Sequence, residues 1–156
     1  MELVVGLGEY IISDKSVDII KTFALASCVA VTVYSPAKKV AGMIHVVLPS
    51  PLNIKDQAER PGYFAETGIP LLLSKMCKEY GCLKGELQIH IYGGADSTRI
   101  DDFFNVGKKN ITTVISTLAN MGLSVHMADV SGEESRTLIM EVKTGAVKVS
   151  RQPIKI

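Results

Sequence analysis

The sequence predicts an α+β fold, a layered sandwich of mostly antiparallel or mixed β-sheet with helices on the outside. Most apolar segments are short and rich in β-branched residues, which is typical of strands. Two longer segments instead repeat apolar residues at steps of three and four, as amphipathic helices do. Short turns join several of the strands, which favours antiparallel neighbours packed in layers.

The N-terminal half is predicted to consist of strands. Residues 3–5 and 9–12 are β-prone runs around a pair of glycines. Residues 28–34 form a further strand, and residues 40–48 form the next one after a turn-like Ser-Pro-Ala-Lys-Lys segment. Because the connection is so short, these two strands are expected to form an antiparallel hairpin. Residues 49–61 begin with Pro-Ser-Pro and are expected to be a polar loop.

Both predicted helices follow this loop. The first covers residues 63–80, with Gly81 as its C-cap and with Pro70 predicting a kink or a late start. The second covers about 107–120, and its apolar side is expected to comprise Val106, Ile111, Val114, Ile115 and Leu118. The remaining β-prone runs are expected to be strands at residues 87–92, 124–129, 137–143 and 146–150.

Length and composition limit the class of protein. Residues 1–156 are interpreted as one domain, because the chain has no repeat, no low-complexity tract and no linker. Lys and Arg total 17 against 16 Asp and Glu, so no general field attracts nucleic acid or an anionic membrane. The absence of a long apolar run, a basic leader and a disulfide-dense composition indicates a reduced cytoplasmic protein. No cofactor and no metal is expected.

The predicted hairpin brings a thiol close to an imidazole. With the turn centred between residues 37 and 38, opposed residues have numbers that sum to 75, so His45 faces Ala30. Cys28 is two residues from Ala30 and therefore on the same face, with its Cβ about 7 Å from that of His45. A slip of one residue would place the two side chains on opposite faces.

A cysteine beside a histidine is a nucleophile beside a base. The imidazole can take the thiol proton or, as imidazolium, stabilise the thiolate. Thr22 is a candidate for orienting the imidazole, and the backbone N–H groups of Ser27 and Cys28 are candidates for binding the oxyanion formed when an amide is attacked. The competing interpretation is structural, because free cysteine is commonly a small buried hydrophobe and a lone strand histidine usually only packs.

Five blocks of this sequence match one known family in order. They are Thr22–Val31, Gly42–Pro49, Tyr63–Leu73, Gly93–Ala95 and Asn105–Asn110. Together they resemble the CheD family of chemoreceptor glutamine deamidases, from residue 6 to about residue 149.

The resemblance implies a reaction, a fold and partners. The reaction is hydrolysis of chemoreceptor glutamines to glutamate with release of ammonia, by a Cys–His–Thr triad whose roles fall on Cys28, His45 and Thr22. The implied fold is like that of the cysteine deamidase toxins. The implied partners are the cytoplasmic domains of chemoreceptors as substrate and, in some members, CheC, a phosphatase acting on the response regulator CheY.

Two positions depart from the family pattern, and two other functions stay open. Ala26 stands where glycine is common and is expected to tighten the loop supplying the oxyanion donors, while Ser131-Gly132 replaces a glycine pair ahead of Arg136.

The first alternative function is an interaction module that binds and stimulates a CheC-type phosphatase. The second is a thiol amidohydrolase acting on small amides.

The other motifs of the sequence predict structural roles more strongly than functional ones. Gly6-Leu-Gly8 lacks the third glycine of a dinucleotide fingerprint and precedes a strand. Cys77 and Cys82 lack a second pair of metal ligands, so burial is the favoured interpretation. His90 and His126 are expected to pack within strands. Lys108 and Lys109 are expected to be a solvated helix start or a docking contact. Residues 99–104 are expected to form a surface loop.

Overall fold

The computed structural model describes residues 1–96 and 104–154, which contain two β-sheets and three α-helices. The strands are β1 (Glu2–Val4), β2 (Tyr10–Ser13), β3 (Ile19–Leu25), β4 (Val29–Ser35), β5 (Val40–Val46), β6 (Gln88–Gly93), β7 (Met127–Val130), β8 (Glu134–Glu141) and β9 (Val147–Pro153). The helices are α1 (Ile54–Glu59), α2 (Ala65–Tyr80) and α3 (Val106–Asn120). The predicted α+β class is therefore confirmed.

The two sheets are stacked and the helices cover one of them. One sheet has the strand order β1-β3-β8-β9 and the other β2-β5-β4-β6-β7. The pairs β1–β3 and β6–β7 are parallel and the remaining pairs antiparallel, so both sheets are mixed. One apolar layer lies between the sheets, and a second lies between the five-stranded sheet and the helices. This is the predicted layered sandwich.

Strands β4 and β5 occupy the centre of the sandwich. Every residue of both strands is buried, because alternate side chains enter the two apolar layers. Burial on both faces explains why these strands read as almost continuous apolar runs. Ala30 lies opposite His45, and each β4–β5 pair sums to 75, which confirms the register of the predicted hairpin.

The two longer helices follow their predicted apolar patterns in most respects. Helix α2 continues through Pro70, so the alternative of a late start there is wrong, and Gly81 ends it in the left-handed conformation at φ 70°. In α3, Val114 and Leu118 are buried as expected. Ile115 is 45% exposed, contrary to prediction, since it lies about 100° around the helix from Val114.

Three local predictions were wrong or incomplete. Strand β3 was not predicted, and α1 lies within the segment expected to be a loop. His126 precedes β7 and is exposed, although it was expected to pack within a strand. Within residues 1–96 and 104–154, no helix combines the length and the apolar character needed to span a membrane.

Candidate active site

Thr22 and His45 meet in the apolar layer between the two sheets. Thr22 lies on β3 and is fully buried, whereas His45 lies on β5 and is 2% exposed. The Thr22 Oγ1 atom is 2.7 Å from His45 Nδ1 and 2.8 Å from the carbonyl oxygen of Val5. The two sheets thus each contribute one polar side chain to the same buried point.

The hydrogen bonds of Thr22 determine the tautomer of His45. A carbonyl oxygen can only accept, so the single hydroxyl proton of Thr22 is donated to Val5. Oγ1 is then an acceptor towards His45, and the proton between them belongs to Nδ1. Nε2 consequently carries the free lone pair, which is the form of imidazole that acts as a base.

Cys28 lies immediately before β4, two residues from Ala30. Its side chain packs against the apolar layer between the sheets, the layer that His45 also enters from β5. Cys28 is partly accessible, whereas His45 is buried. Thr22 and His45 are therefore in direct contact, and Cys28 borders the same apolar layer.

No hydrogen bond joins the Cys28 thiol to the His45 imidazole in the described residues. Among the described residues, His45 Nε2 has no hydrogen-bond partner. Extending the β4–β5 register one residue beyond Val29 to Cys28 gives an expected Cβ separation from His45 of about 7 Å, which side-chain rotation can close. In cysteine hydrolases, the hydrogen bond between thiol and imidazole is often long before substrate binds.

Burial determines the protonation of both groups. It lowers the pKa of His45 from 6.5 to about 4, because the apolar layer solvates an imidazolium poorly. Burial also raises the pKa of the Cys28 thiol above its ordinary 9.0. At neutral pH the pair is therefore a thiol beside a neutral imidazole, which is suited to general-base catalysis and differs from a preformed ion pair.

The turn between β1 and β2 supports the backbone of His45. Gly8 donates its N–H to the His45 carbonyl at 2.9 Å, and the His45 N–H is donated to the carbonyl of Glu9 at 3.1 Å. The same segment supplies the Val5 carbonyl that binds Thr22. The Gly6-Leu-Gly8 motif is thus part of the support for His45.

The loop before Cys28 is anchored through its carbonyl groups. The three consecutive carbonyls of residues 26–28 accept hydrogen bonds from Ala95 N at 2.7 Å, Asn110 Nδ2 at 2.9 Å and Gly94 N at 2.8 Å. All peptide bonds are trans in the described residues, so each N–H points away from the carbonyl of its own peptide plane. The two N–H groups that the sequence suggested as oxyanion donors therefore point away from these anchors.

A glycine segment and the start of α3 form one scaffold behind this loop. A Cβ at Gly93 would lie 2.3 Å from the Cys28 carbonyl oxygen, and the φ of Gly93 is +103°. A Cβ at Gly107 would lie 2.3 Å from the Ala95 carbonyl oxygen. Close backbone approach thus requires glycine at both positions, which explains two of the sequence blocks in physical terms.

The two departures from the family pattern are accommodated differently. Ala26 does not adopt a left-handed backbone, whereas Ala24, near the end of β3, does, at φ 53°. Ser131 also adopts the left-handed conformation at φ 68°, and its N–H is donated to the Gly93 carbonyl at 3.0 Å. The Ser131-Gly132 turn therefore keeps a conformation that favours glycine although serine occupies its first position.

Asn110 was not singled out as a functional residue by sequence reasoning. It is fully buried on α3, and its Nδ2 donates to the carbonyls of Ser27 and Val47, each at 2.9 Å. Its Oδ1 has no hydrogen-bond partner among the described residues. The sequence shows a polar residue on the buried stripe of a predicted helix, which could have marked Asn110. Its hydrogen-bond partners could not be inferred, because they are 83 and 63 residues away in the chain.

The remaining candidates lie elsewhere. Cys77 and Cys82 are free thiols in or against the apolar layer beneath the helices, and the described residues contain no group of three or more His, Cys, Asp or Glu arranged to hold a metal. His90 is half-buried on β6. Lys108 and Lys109 are exposed in the first turn of α3. Of segment 99–104, residues 99–103 lie outside the described residues.

An open groove lies at the start of α3. It has a volume of about 810 Å³ and extends from the end of β5 to the first half of α3. Its lining includes Leu48, Leu52 and Phe104, with Lys108 and Lys109 also contributing. Leu52 is 87% exposed and Phe104 is 71% exposed. The groove therefore presents apolar surface and positive charge next to the strand that carries His45.

Comparison with known proteins identifies the family. A family model described as CheD chemotactic sensory transduction matches residues 47–151. A protein of Syntrophotalea carbinolica named "Probable chemoreceptor glutamine deamidase CheD" is 44% identical over 152 residues, covering 96% of this chain and 93% of that protein. This chain belongs to the CheD family. The resemblance noted in the sequence is thereby confirmed.

Other matches to this CheD-family chain are more distant. A Syntrophus aciditrophicus protein named "Probable chemoreceptor glutamine deamidase CheD 1" is 36% identical, covering 95% of this chain and 92% of that protein. A solved structure, the hypothetical protein YfiH of Bacillus licheniformis, has a TM-score of 0.45 at 11% identity and covers 78% of this chain and 49% of its own. The span matched by the CheD family model begins after Thr22, Cys28 and His45 and does not include them.

Proposed function

We propose that this chain is a protein-glutamine deamidase that converts glutamine side chains on the cytoplasmic domains of chemoreceptors to glutamate. The substrate class comes from the names of its relatives in the CheD family. The chemistry is assigned to Cys28 as nucleophile, His45 as base and Thr22 as the residue that orients the base. The observation that carries this assignment is the tautomer of His45, whose Nε2 lone pair is unpartnered among the described residues.

The proposed reaction begins with attack on the carboxamide. The Cys28 sulfur forms a bond to the amide carbon while His45 Nε2 removes the thiol proton. The carbonyl π electrons move to oxygen, and the resulting oxyanion accepts hydrogen bonds from the N–H groups of Ser27 and Cys28. The orientation of their peptide planes, with the carbonyls turned into the protein, supports this role.

The second half of the reaction releases both products. The tetrahedral intermediate collapses to a thioester as the carbon–nitrogen bond breaks, and the His45 imidazolium protonates the departing nitrogen, which leaves as ammonia. Water then attacks the thioester while His45 Nε2 removes one of its protons. Collapse of the second intermediate returns that proton to the sulfur and leaves glutamate, so the enzyme ends in its starting form.

The low proton affinity of buried His45 suits the second role of this residue. An imidazolium whose pKa lies near 4 is a strong acid and protonates a leaving nitrogen readily. The same low pKa keeps the imidazole neutral, and therefore available as a base, throughout the physiological range.

Cys28 is partly accessible at the surface, which suits a glutamine presented by a large protein.

A second candidate function is binding of a partner protein such as a CheC-type phosphatase. The observation that favours it is the open groove described above, with exposed apolar side chains at Leu52 and Phe104 and a lysine pair beside them. Exposed apolar patches of this kind commonly mark sites of protein interaction. Partner binding in the groove is compatible with catalysis, because Cys28, His45 and Thr22 do not line the groove.

The proposed function is tested with receptor protein and mass spectrometry. Wild-type chain is incubated with the cytoplasmic domain of a chemoreceptor, and receptor peptides are examined for conversion of amide to acid. Free glutamine serves as a parallel substrate. Conversion of receptor glutamine is the expected result, whereas activity on free glutamine with none on receptor would instead identify an amidohydrolase of small amides. A chain that converts neither but stimulates a CheC-type phosphatase would be an interaction module.

A further inference from the structure

We infer that Asn110 is a positioning residue that holds the peptide between Ser27 and Cys28 in the orientation needed to bind the oxyanion. This inference rests on the proposed deamidase function. Asn110 does not touch the reacting atoms in this assignment. It acts through the Ser27 carbonyl, which accepts its Nδ2 hydrogen bond at 2.9 Å.

The first step concerns the anchors of the loop. The carbonyls of residues 26 and 28 accept from backbone N–H groups of Ala95 and Gly94, so no substitution other than proline removes those donors. The carbonyl of Ser27 lies between them and accepts from a side chain. Asn110 is therefore the position where the anchoring of this loop can be changed by one substitution.

The second step concerns the donor that this anchor controls. The Ser27 carbonyl and the Cys28 N–H belong to one trans peptide plane and point in opposite directions. Fixing the carbonyl towards Asn110 consequently fixes the direction of the nucleophile's own N–H. An oxyanion donor is effective when it is already oriented before the reaction, because no free energy is then spent on reorienting it.

The third step concerns the second bond of Asn110. The same Nδ2 group donates to Val47, two residues after His45, at 2.9 Å. One amide group thus connects the segment that ends in Cys28 to the end of the strand that carries His45. Both carbonyls need donors, so the NH₂ group faces them and the orientation of the amide is determined by its partners.

Loss of the Asn110 side chain is expected to change the orientation of the Ser27–Cys28 peptide. Without Asn110, the inward-facing Ser27 carbonyl would lose its donor, and a buried unpaired carbonyl is unfavourable. Rotation of the Ser27–Cys28 peptide would relieve that cost by turning the carbonyl towards solvent. The same rotation would turn the Cys28 N–H away from the substrate.

The experiment compares receptor deamidation with thiol alkylation in the full-length chain. Asn110→Asp keeps the shape of the side chain but removes both donated hydrogen bonds, and Asn120→Asp makes the same change at an exposed position of α3. Alkylation of Cys28 by iodoacetamide requires the thiolate but forms no oxyanion, so it separates the two effects. Folding of each variant is checked by circular dichroism and urea unfolding.

The expected result is a loss confined to amide hydrolysis. In Asn110→Asp, kcat for receptor deamidation falls about 100- to 1000-fold with KM nearly unchanged, as for loss of one oxyanion donor. The alkylation rate of Cys28 and its pH profile stay as in the wild type, and Asn120→Asp behaves like the wild type in both assays. If Asn110→Asp does not fold, Asn110→Ser, which is too short to bridge both carbonyls, is expected to show the same separation.

Three outcomes would overturn the inference. The first is a folded Asn110 variant with wild-type kcat. The second is an equal fall in deamidation and alkylation, which would assign Asn110 a general role in placing the thiol. The third is a wild-type chain that does not deamidate receptor at all, which would also refute the proposed function and is distinguished from the first two by the wild-type sample alone.

Discussion

Lowering the pH from 7 to 4 should destabilise the protein in a way that includes a separable contribution from His45. Burial lowers the pKa of His45 to about 4 from its ordinary 6.5, so the unfolded chain takes up a proton that the folded chain resists. Stability is therefore lost as the pH falls from about 6.5 towards 4. The loss attributable to His45 is about 2 kcal/mol at pH 5 and about 3 kcal/mol at pH 4.

The measurement uses a variant that cannot titrate at this position. His45→Asn retains an amide N–H that can be donated to Thr22 in place of Nδ1–H but carries no charge at any pH. The free energy of unfolding is measured in urea at several pH values for both proteins, and the difference between the two curves isolates His45. Other groups titrate equally in both proteins, including His90, whose pKa burial also lowers.

Two results would refute this reasoning. Parallel curves for wild type and His45→Asn between pH 7 and pH 4 would mean that His45 titrates normally in the folded protein. A wild type that gains stability relative to the variant as the pH falls would mean that the folded state prefers the imidazolium. The second result would indicate a preformed thiolate–imidazolium pair between Cys28 and His45.

Three further predictions test the site and its scaffold. Thr22→Val should lower kcat for receptor deamidation about 100-fold, because His45 Nδ1 loses its hydrogen-bond acceptor. Thr22→Ser keeps the hydroxyl and should retain most of the activity. A valine variant with wild-type activity would contradict the orienting role of Thr22. Alkylation of Cys28 by iodoacetamide should still accelerate with pH above 9.0, since burial raises the thiol pKa, and a rate that levels off near neutral pH would contradict this. Gly93→Ala should lower the free energy of unfolding by more than about 2 kcal/mol, because the new Cβ would lie 2.3 Å from a carbonyl oxygen and the residue has a positive φ. The control Gly85→Ala places a Cβ with no atom within 4 Å and should leave the free energy of unfolding in urea nearly unchanged. Equal stabilities of the two variants would refute the close approach at Gly93.

The central hairpin could be predicted from sequence because both of its strands are apolar and the turn between them is short. Those two facts determined the register, and the register placed Cys28 and His45 on one face. Strand β3 was harder to detect, because its inward-facing residues include the polar Thr22. Thr22 was nevertheless named as a candidate partner of His45, with which it shares a hydrogen bond, while the strand that carries it was not predicted.

Two other features could not be predicted because their causes are not local. Helix α1 buries none of its residues, so it lacks the apolar periodicity by which helices are recognised, although Asn53 caps it by accepting from the Asp56 N–H. The role of Asn110 depends on carbonyls that the chain supplies from distant segments. Only the folded structure reveals that a single amide group connects them.

The assignment of Cys28 as the nucleophile is tested most directly by one substitution. Wild type, Cys28→Ser and Cys77→Ser are incubated with receptor protein, and conversion of glutamine to glutamate is followed by mass spectrometry. The wild type and Cys77→Ser, which alters a free thiol on α2, are predicted to convert the receptor at similar rates, and Cys28→Ser is predicted to show no conversion. Conversion by folded Cys28→Ser at the wild-type rate would contradict the proposed mechanism.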